Sequence, residues 1–510
     1  MRRRHLGNPR LVLPIWIASW FVFSSVAWVG EAVAGELVVT SVSPARHSLA
    51  ASPDAVLTID FDRAVDPASI GPASFWAFGR WSGTVSGTYG FASGNTRVTL
   101  TPDRPFSAGE SVMVFLSQDI EAADGAFLRS AGYSFQFWVR ALASFELVEL
   151  ERLSTDSPSR PYGGIASDLN EDGYLDITTV NEDTDDLRVF LNAGDGSGDF
   201  QPFLQPTEAT GNVPSPSEPT DFNRDGHVDV VTGNTQAASI SILLGRGDGT
   251  FDPQQEIAVG SAVRGVAVLD VDGDGDVDVA AASPSAGEVT VLLNNGAGVF
   301  GSPSTFGAGV SEWALAAGDM NDDGILDLVV GGQSSQRIYV YTGQGDGTFT
   351  LTDDQPSGGD VWMIVLGDVD GNGTEDVSAA NSSANNGAIL LGDGAGGLGA
   401  AQTHATDSFP LATDLGDLDG DGDLDWIVAS FGGDWTLFTN DGDGTFTFDR
   451  EFAAPAAASC SLMMDIDNDG DLDLALIDEL ADELIVLENV DNIFTDGFES
   501  GNTTAWGGAR

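Results

Sequence analysis

The sequence predicts an all-β chain: a seven-bladed β-propeller preceded by a β-sandwich. Three observations predict it. A nine-residue acidic pattern, D-x-[DN]-x-[DN]-G-x-x-D, occurs seven times. Its copies begin at Asp168, Asp221, Asp270, Asp319, Asp368, Asp417 and Asp465, at intervals of 53, 49, 49, 49, 49 and 48 residues. No stretch inside these repeats sustains a 3.6-residue apolar period.

Each period reads as four short strands of the usual length. In the fourth unit the first strand is Trp313 to Gly318, followed by the acidic loop. Leu326 to Gly331 and Ile338 to Thr342 come next, and a fourth strand begins at Phe349. A Gly-Asp-Gly turn and an aromatic follow the third strand, as in Ile240 to Phe251, Ile338 to Phe349 and Trp435 to Phe446. In the fifth unit Leu398 stands in place of the Phe. Seven such units fit a propeller, which leaves only short protected sheet edges. Phe145 heads an unaccompanied strand before the first loop, while the last unit stops after Leu484 to Glu488. Residues 145–153 are therefore expected to supply the missing strand of the last blade and shut the ring.

Composition agrees. The chain has 510 residues and a net charge of −58. All 20 bases are Arg and there is no Lys. Asp outnumbers Glu and Gly is abundant, the composition of tight turns. Such a polyanion repels nucleic acid and anionic membranes, so its natural partners are cations. Cys460 is the only cysteine, so no internal disulfide can form.

Residues 36–140 are rich in Ser, Thr and Ala and carry alternating runs such as Val56 to Phe61 and Ser111 to Leu116. About a hundred residues of short strands suggests a sandwich. Ser43-Pro44, Ile59 to Pro67, Thr99 to Gly109, Asp124-Gly125 and Phe135 to Phe137 resemble the bacterial Ig-like domain of the SbsA type. That resemblance implies a spacer. Before it, Arg2, Arg3, Arg4 and Arg10 precede an apolar run from Leu11 to Val29 and then Ala32-Val33-Ala34. This is the pattern of a secretory signal over residues 1–34, cleaved after Ala34. The reading gives a bacterial secreted or cell-surface protein whose mature chain (residues 36–140, 141–490 and a 491–510 tail) has no transmembrane segment.

The acidic loops point to calcium. Carboxylates at positions 1, 3 and 5 converge around a tight turn, Gly at position 6 permits the bend, and position 9 returns a further carboxylate. The shell is oxygen only and suits calcium over zinc or copper, with magnesium disfavoured by its reluctance to dehydrate. The candidate ligands are Asp168, Asn170, Asp172 and Asp176; Asp221, Asn223, Asp225 and Asp229; Asp270, Asp272, Asp274 and Asp278; Asp319, Asn321, Asp323 and Asp327; Asp368, Asp370, Asn372 and Asp376; Asp417, Asp419, Asp421 and Asp425; and Asp465, Asp467, Asp469 and Asp473. Up to seven Ca²⁺ are expected, held most tightly by the third, sixth and seventh loops, which have four carboxylates each; the fifth is ranked weakest. The flanking helices and position-12 acid of an EF-hand are missing. The unit resembles the FG-GAP or VCBS repeat of integrin α-chains and many exported bacterial proteins, over about residues 145–490. The resemblance implies that the acidic loop joins the first two strands of each blade and that calcium staples the hairpin.

No zinc-binding H-E-x-x-H and no G-x-S-x-G elbow occur, so a non-enzymatic role is expected. Six residues before the loops stand Tyr162, Ser215, Arg264, Trp313, Trp362, Leu411 and Ser459. Tyr162, Arg264, Trp313 and Trp362 would crowd the channel mouth opposite calcium, either stacking on sugar rings or plugging the channel. Asn181, Asn234, Gln333 and Asn381 would add polar groups there. The leading reading is an adhesion or glycan/protein-recognition module in which calcium is structural. A carbohydrate-active lyase or hydrolase, or a purely structural envelope protein, are the alternatives.

Overall fold

The computed structural model describes residues 35–490 except Phe145 and Val310. The signal segment, Phe145 at the head of the expected closing strand and the tail from Asp491 lie outside the described residues. Within them the chain is strand and turn, with one 3-10 turn at Pro67–Ser69.

The N-terminal segment forms two four-stranded antiparallel sheets. One orders Val39–Ser43, Leu57–Phe61, Arg97–Pro102 and Gly87–Ala92. The other orders Gly83–Thr84, Phe75–Gly79, Ser111–Leu116 and Tyr133–Trp138. In the first sheet Leu57, Ile59 and Phe61 are buried while Thr58 and Asp60 are half-buried, the period of two that a strand with one wet face requires. In the second sheet Phe75–Gly79 is buried at every position. Its outer face is covered as well, because Trp76, Phe78 and Phe115 belong to one apolar cluster with Phe222, Val266 and Leu269 of the repeats.

The repeats form a further seven antiparallel sheets. The fourth orders Glu312–Gly318, Asp327–Gly332, Arg337–Gly343 and Phe349–Pro356, within a residue of the strands read from the sequence. The second strand of each sheet is buried throughout, from Asp176–Asn181 to Asp473–Asp478. It has a strand on either side and a neighbouring sheet on either face, so it reads as a short continuous apolar run and not as an alternation. In the seventh sheet Leu147–Ser154 pairs antiparallel with Glu483–Asn489, Leu147 opposite Asn489 and Ser154 opposite Glu483. The first strands lie side by side from Pro214–Thr220 through to Ala458–Met464, and Pro161–Gly163 touches both of those.

The turn after the third strand, Gly-Asp-Gly in the second and fourth units and Gly-Ala-Gly in the third and fifth, stitches neighbouring sheets. Gly249, Gly298, Gly347 and Gly396 donate N–H to the carbonyls of Leu169, Phe222, Val271 and Met320, the second residue of the preceding unit's acidic loop, at 2.9–3.1 Å. All four glycines have positive φ, where a side chain would be strained. The first strands enclose a cavity of about 270 Å³ lined by Ala314, Ala316, Met363, Val365, Ala412 and Cys460 among others. Cys460 is buried, and burial pushes its thiol up to about 12, so it is a small wall residue and no nucleophile.

Candidate metal centres at the acidic loops

All seven loops share one hydrogen-bond plan. Oδ2 of the first Asp accepts the N–H of the position-6 Gly, from Gly173 to Asp168 at 3.0 Å through Gly470 to Asp465 at 3.1 Å. The position-5 side chain accepts the N–H of position 7. These bonds hold the carboxylates of positions 1 and 5 on the inside of the turn. Position 6 has positive φ in every loop, as expected, but so does position 4, including the non-glycine residues Glu171, Arg224, Asp322 and Asn468.

Position 9 does more than the sequence reading gave it. Asp176, Asp229, Asp278, Asp327, Asp376, Asp425 and Asp473 are each the first residue of the second strand, and all are buried. One carboxylate oxygen accepts the N–H of loop position 2 and the other an N–H at the end of the third strand. Asp278 takes Val271 at 3.0 Å and Asn294 at 2.7 Å; Asp376 takes Val369 at 2.8 Å and Gly392 at 2.7 Å. This Asp therefore clamps three backbone segments besides facing the loop. Asn192, Asn294, Asn440 and Asn489 extend the clamp, each donating Nδ2–H to a carbonyl in the neighbouring unit's loop. The sequence pattern hid them because only some units carry Asn there.

The loops fit a hard divalent cation, though unequally. In four of them three carboxylates bring oxygens within 4.8 Å of one another: Asp270, Asp272 and Asp278; Asp368, Asp370 and Asp376; Asp417, Asp419 and Asp421; Asp465, Asp467 and Asp473. The buried Oδ1 atoms of Asp168, Asp417 and Asp465 have no hydrogen-bond partner, an expensive state that a cation would relieve. Burial and then the neighbouring loop carboxylates push Asp270 and Asp465 up to about 7 and Asp425 up to about 8. The fifth loop, ranked weakest for Asn372 at position 5, is among the four, and the first, second and fourth are not. The four loops share Asp at position 3; the other three have Asn170, Asn223 and Asn321 there. In those three the Asn offers an amide oxygen where the four groups have a carboxylate.

The sandwich packs directly against the repeats. It sits on the acidic loops, since its backbone and side chains satisfy their exposed polar groups. Asp168 donates N–H to Trp81 O at 2.8 Å, Gln118 to Gly273 O at 2.8 Å and Ser134 to Gly324 O at 2.9 Å, and Leu142, just after the sandwich, donates to Gly470 O at 2.7 Å. Trp76 Nε1 donates to Gly275 O at 2.9 Å, and Thr84 Oγ1 to Asp221 Oδ2 at 2.8 Å. In the fifth loop His47 Nδ1 meets Glu375 Oε1 at 2.7 Å, and against the sixth the segment after the sandwich lies so close that a Cβ on Gly420 would come within 2.3 Å of Ala143 Cα.

At the other end of the cavity Tyr162, Arg264, Trp313 and Trp362 come together. Trp313 and Trp362 lie 4.7 Å apart between ring centroids, and the Arg264 guanidinium sits 4.8 Å over Trp313. Trp362 Nε1 donates to Tyr162 Oη. Phe409, 39 % exposed, adds a ring 5.2 Å from Trp362. Asn181, Asn234 and Asn381 do not face this mouth as polar handles: all three are fully buried and bond locally, as Asn381 Nδ2 does to Ser357 O at 2.8 Å. Arg160, spanning Glu182 and Glu479 nearby, is the polar group that the sequence reading missed.

Among the described residues no helix is long and apolar enough to cross a membrane. No curated protein matches the chain. Solved structures that resemble it include BBS1N in complex with ARL6DN, 12 % identical, covering 69 % of this chain and 99 % of that one at a TM-score of 0.49. An Agrocybe aegerita lectin that recognises non-reducing terminal N-acetylglucosamine is 17 % identical, with 76 % and 90 % covered and a TM-score of 0.38. A Lactobacillus plantarum protein is 14 % identical, with 76 % and 98 % covered and a TM-score of 0.46. Residues 34–138 match the bacterial Ig-like domain. The FG-GAP-like repeat matches in five overlapping segments, 221–281, 270–330, 319–379, 368–428 and 417–476. With just over half of its length matched by that repeat, the chain belongs to the FG-GAP-like repeat family.

Proposed function

We propose that this is an exported, non-catalytic recognition module, a closed seven-bladed propeller stapled by calcium. The observation that carries the calcium reading is the convergence of three carboxylates in each of four equivalent turns. Residues of positions 1, 3, 5 and 9 would hold the ion, which supplies charge neutralisation and a rigid turn. Closure rests on the pairing of Leu147–Ser154 with Glu483–Asn489. Export rests on the Arg-rich, apolar start of the chain and on domain types common outside bacterial cells.

The partner, an extracellular glycan or surface protein, is met at the mouth formed by Tyr162, Arg264, Trp313 and Trp362. The sandwich covers the opposite face, which leaves this as the aromatic face free to engage a ligand. Its rings already pack on one another, so recognition would use their outer edges with Phe409. The test is binding of the mature chain to glycan and surface-protein arrays, with and without chelator. Binding that Trp313→Ala/Trp362→Ala abolishes supports the reading; binding unchanged in that variant overturns it.

A further inference from the structure

The three loops with Asn at position 3 are the three whose first Asp is taken by a sandwich side chain. In the first loop Arg104 Nη1 lies 3.3 Å from Asp168 Oδ2. In the second Thr84 Oγ1 donates to Asp221 Oδ2 at 2.8 Å. In the fourth Arg46 Nη1 lies 3.6 Å from Asp319 Oδ2 and 3.8 Å from Asp322 Oδ1. Among the described residues, Asp270, Asp368, Asp417 and Asp465 have hydrogen bonds from their own loops and none from a sandwich side chain. Those are the four loops with converged carboxylates. Two independent features, residue type at position 3 and contact from another domain, thus divide the seven loops in the same way.

We propose that the Ig-like domain takes the cation's place in the first, second and fourth loops, so that the chain binds four calcium ions and not seven. This rests on the calcium reading above and sharpens it. In two of the three loops the substitute is itself cationic. A guanidinium offers a fixed positive charge with directed donors, which offsets part of the repulsion among the loop carboxylates. It also makes the calcium position hostile to a divalent ion, since like charges a few ångströms apart repel. In the second loop Thr84 commits a lone pair of Asp221, and an Asn at position 3 leaves the shell one carboxylate short. The domain's side chains then reach the first Asp only in the loops without calcium, while at the third loop it bonds to backbone carbonyls alone.

The test is native mass spectrometry of the mature full-length chain titrated with calcium, alongside Arg46→Gln/Arg104→Gln and the charge-keeping Arg46→Lys/Arg104→Lys. Circular dichroism confirms that each variant folds. The expected counts are four ions for the wild type and the Lys variant, and six for the Gln variant, with the two added ions binding more weakly. Seven on the wild type, or any other count but four, overturns the proposal, and so does a Gln variant that still takes four. A wild type that takes none overturns the calcium reading itself, a result distinguishable from the others.

Discussion

At the scale of single residues, the position-9 Asp and the position-3 Asp do different work. Asp278 accepts two backbone N–H bonds deep between strands, whereas Asp272 only completes the loop. Asp278→Asn turns one acceptor into a donor facing an N–H, which costs about 2–3 kcal/mol even in chelator. Asp272→Asn should leave stability in chelator within about 0.5 kcal/mol and lose one calcium. Urea denaturation with and without calcium separates the two. Asp414 gives a pH signature. Burial beside the cavity, only partly offset by the N–H of Met463 and by Arg80, raises its carboxyl to about 6. Its folded value lies above the ordinary 3.8. Its contribution is therefore fully present below about pH 4 and is lost as pH rises through about 6. Asp414→Asn should flatten the fall in stability from pH 4 to 8 relative to the wild type, by up to about 3 kcal/mol; parallel curves would show that the shift is absent.

At the scale of elements, the strands of the fourth unit could be read to within a residue, because five- or six-residue apolar runs separated by Gly-Asp turns admit few other registers. The pairing of Leu147–Ser154 with the last repeat strand was also expected, from phase alone. Leu153 is buried in its pairing with Leu484, so Leu153→Asp should destabilise the chain by about 3 kcal/mol through an unpaired buried charge. An unchanged urea midpoint would mean that Leu147–Ser154 is dispensable to the last sheet. What could not be read were the inter-unit stitches. The turns after the third strand donate to a carbonyl in the unit before them, and nothing within one period reveals a bond to the next. Likewise the positive φ at position 4 is disguised by Glu171 and Arg224, residue types that carry no signal for that conformation, whereas Asp322 and Asn468 are types that favour it.

At the scale of the whole molecule, the repeat and the sandwich were each legible and their relation was not. Local patterns report a strand's own periodicity, and the docking of one domain on another is written in scattered residues such as Trp76, Thr84, Arg46 and His47. That docking gives the loops a second role: they are the seat of the Ig-like domain as well as candidate cation sites. It also explains why the second sheet of the sandwich has no polar face along Phe75–Gly79. The central claim is that calcium holds this structure together, and calorimetry of the mature chain tests it most directly. At one hundred times its dissociation constant a bound ion adds about 2.7 kcal/mol per site, so several sites acting together should raise the melting temperature by many degrees over the chelated protein. Superimposable melts in millimolar calcium and in chelator would contradict the account.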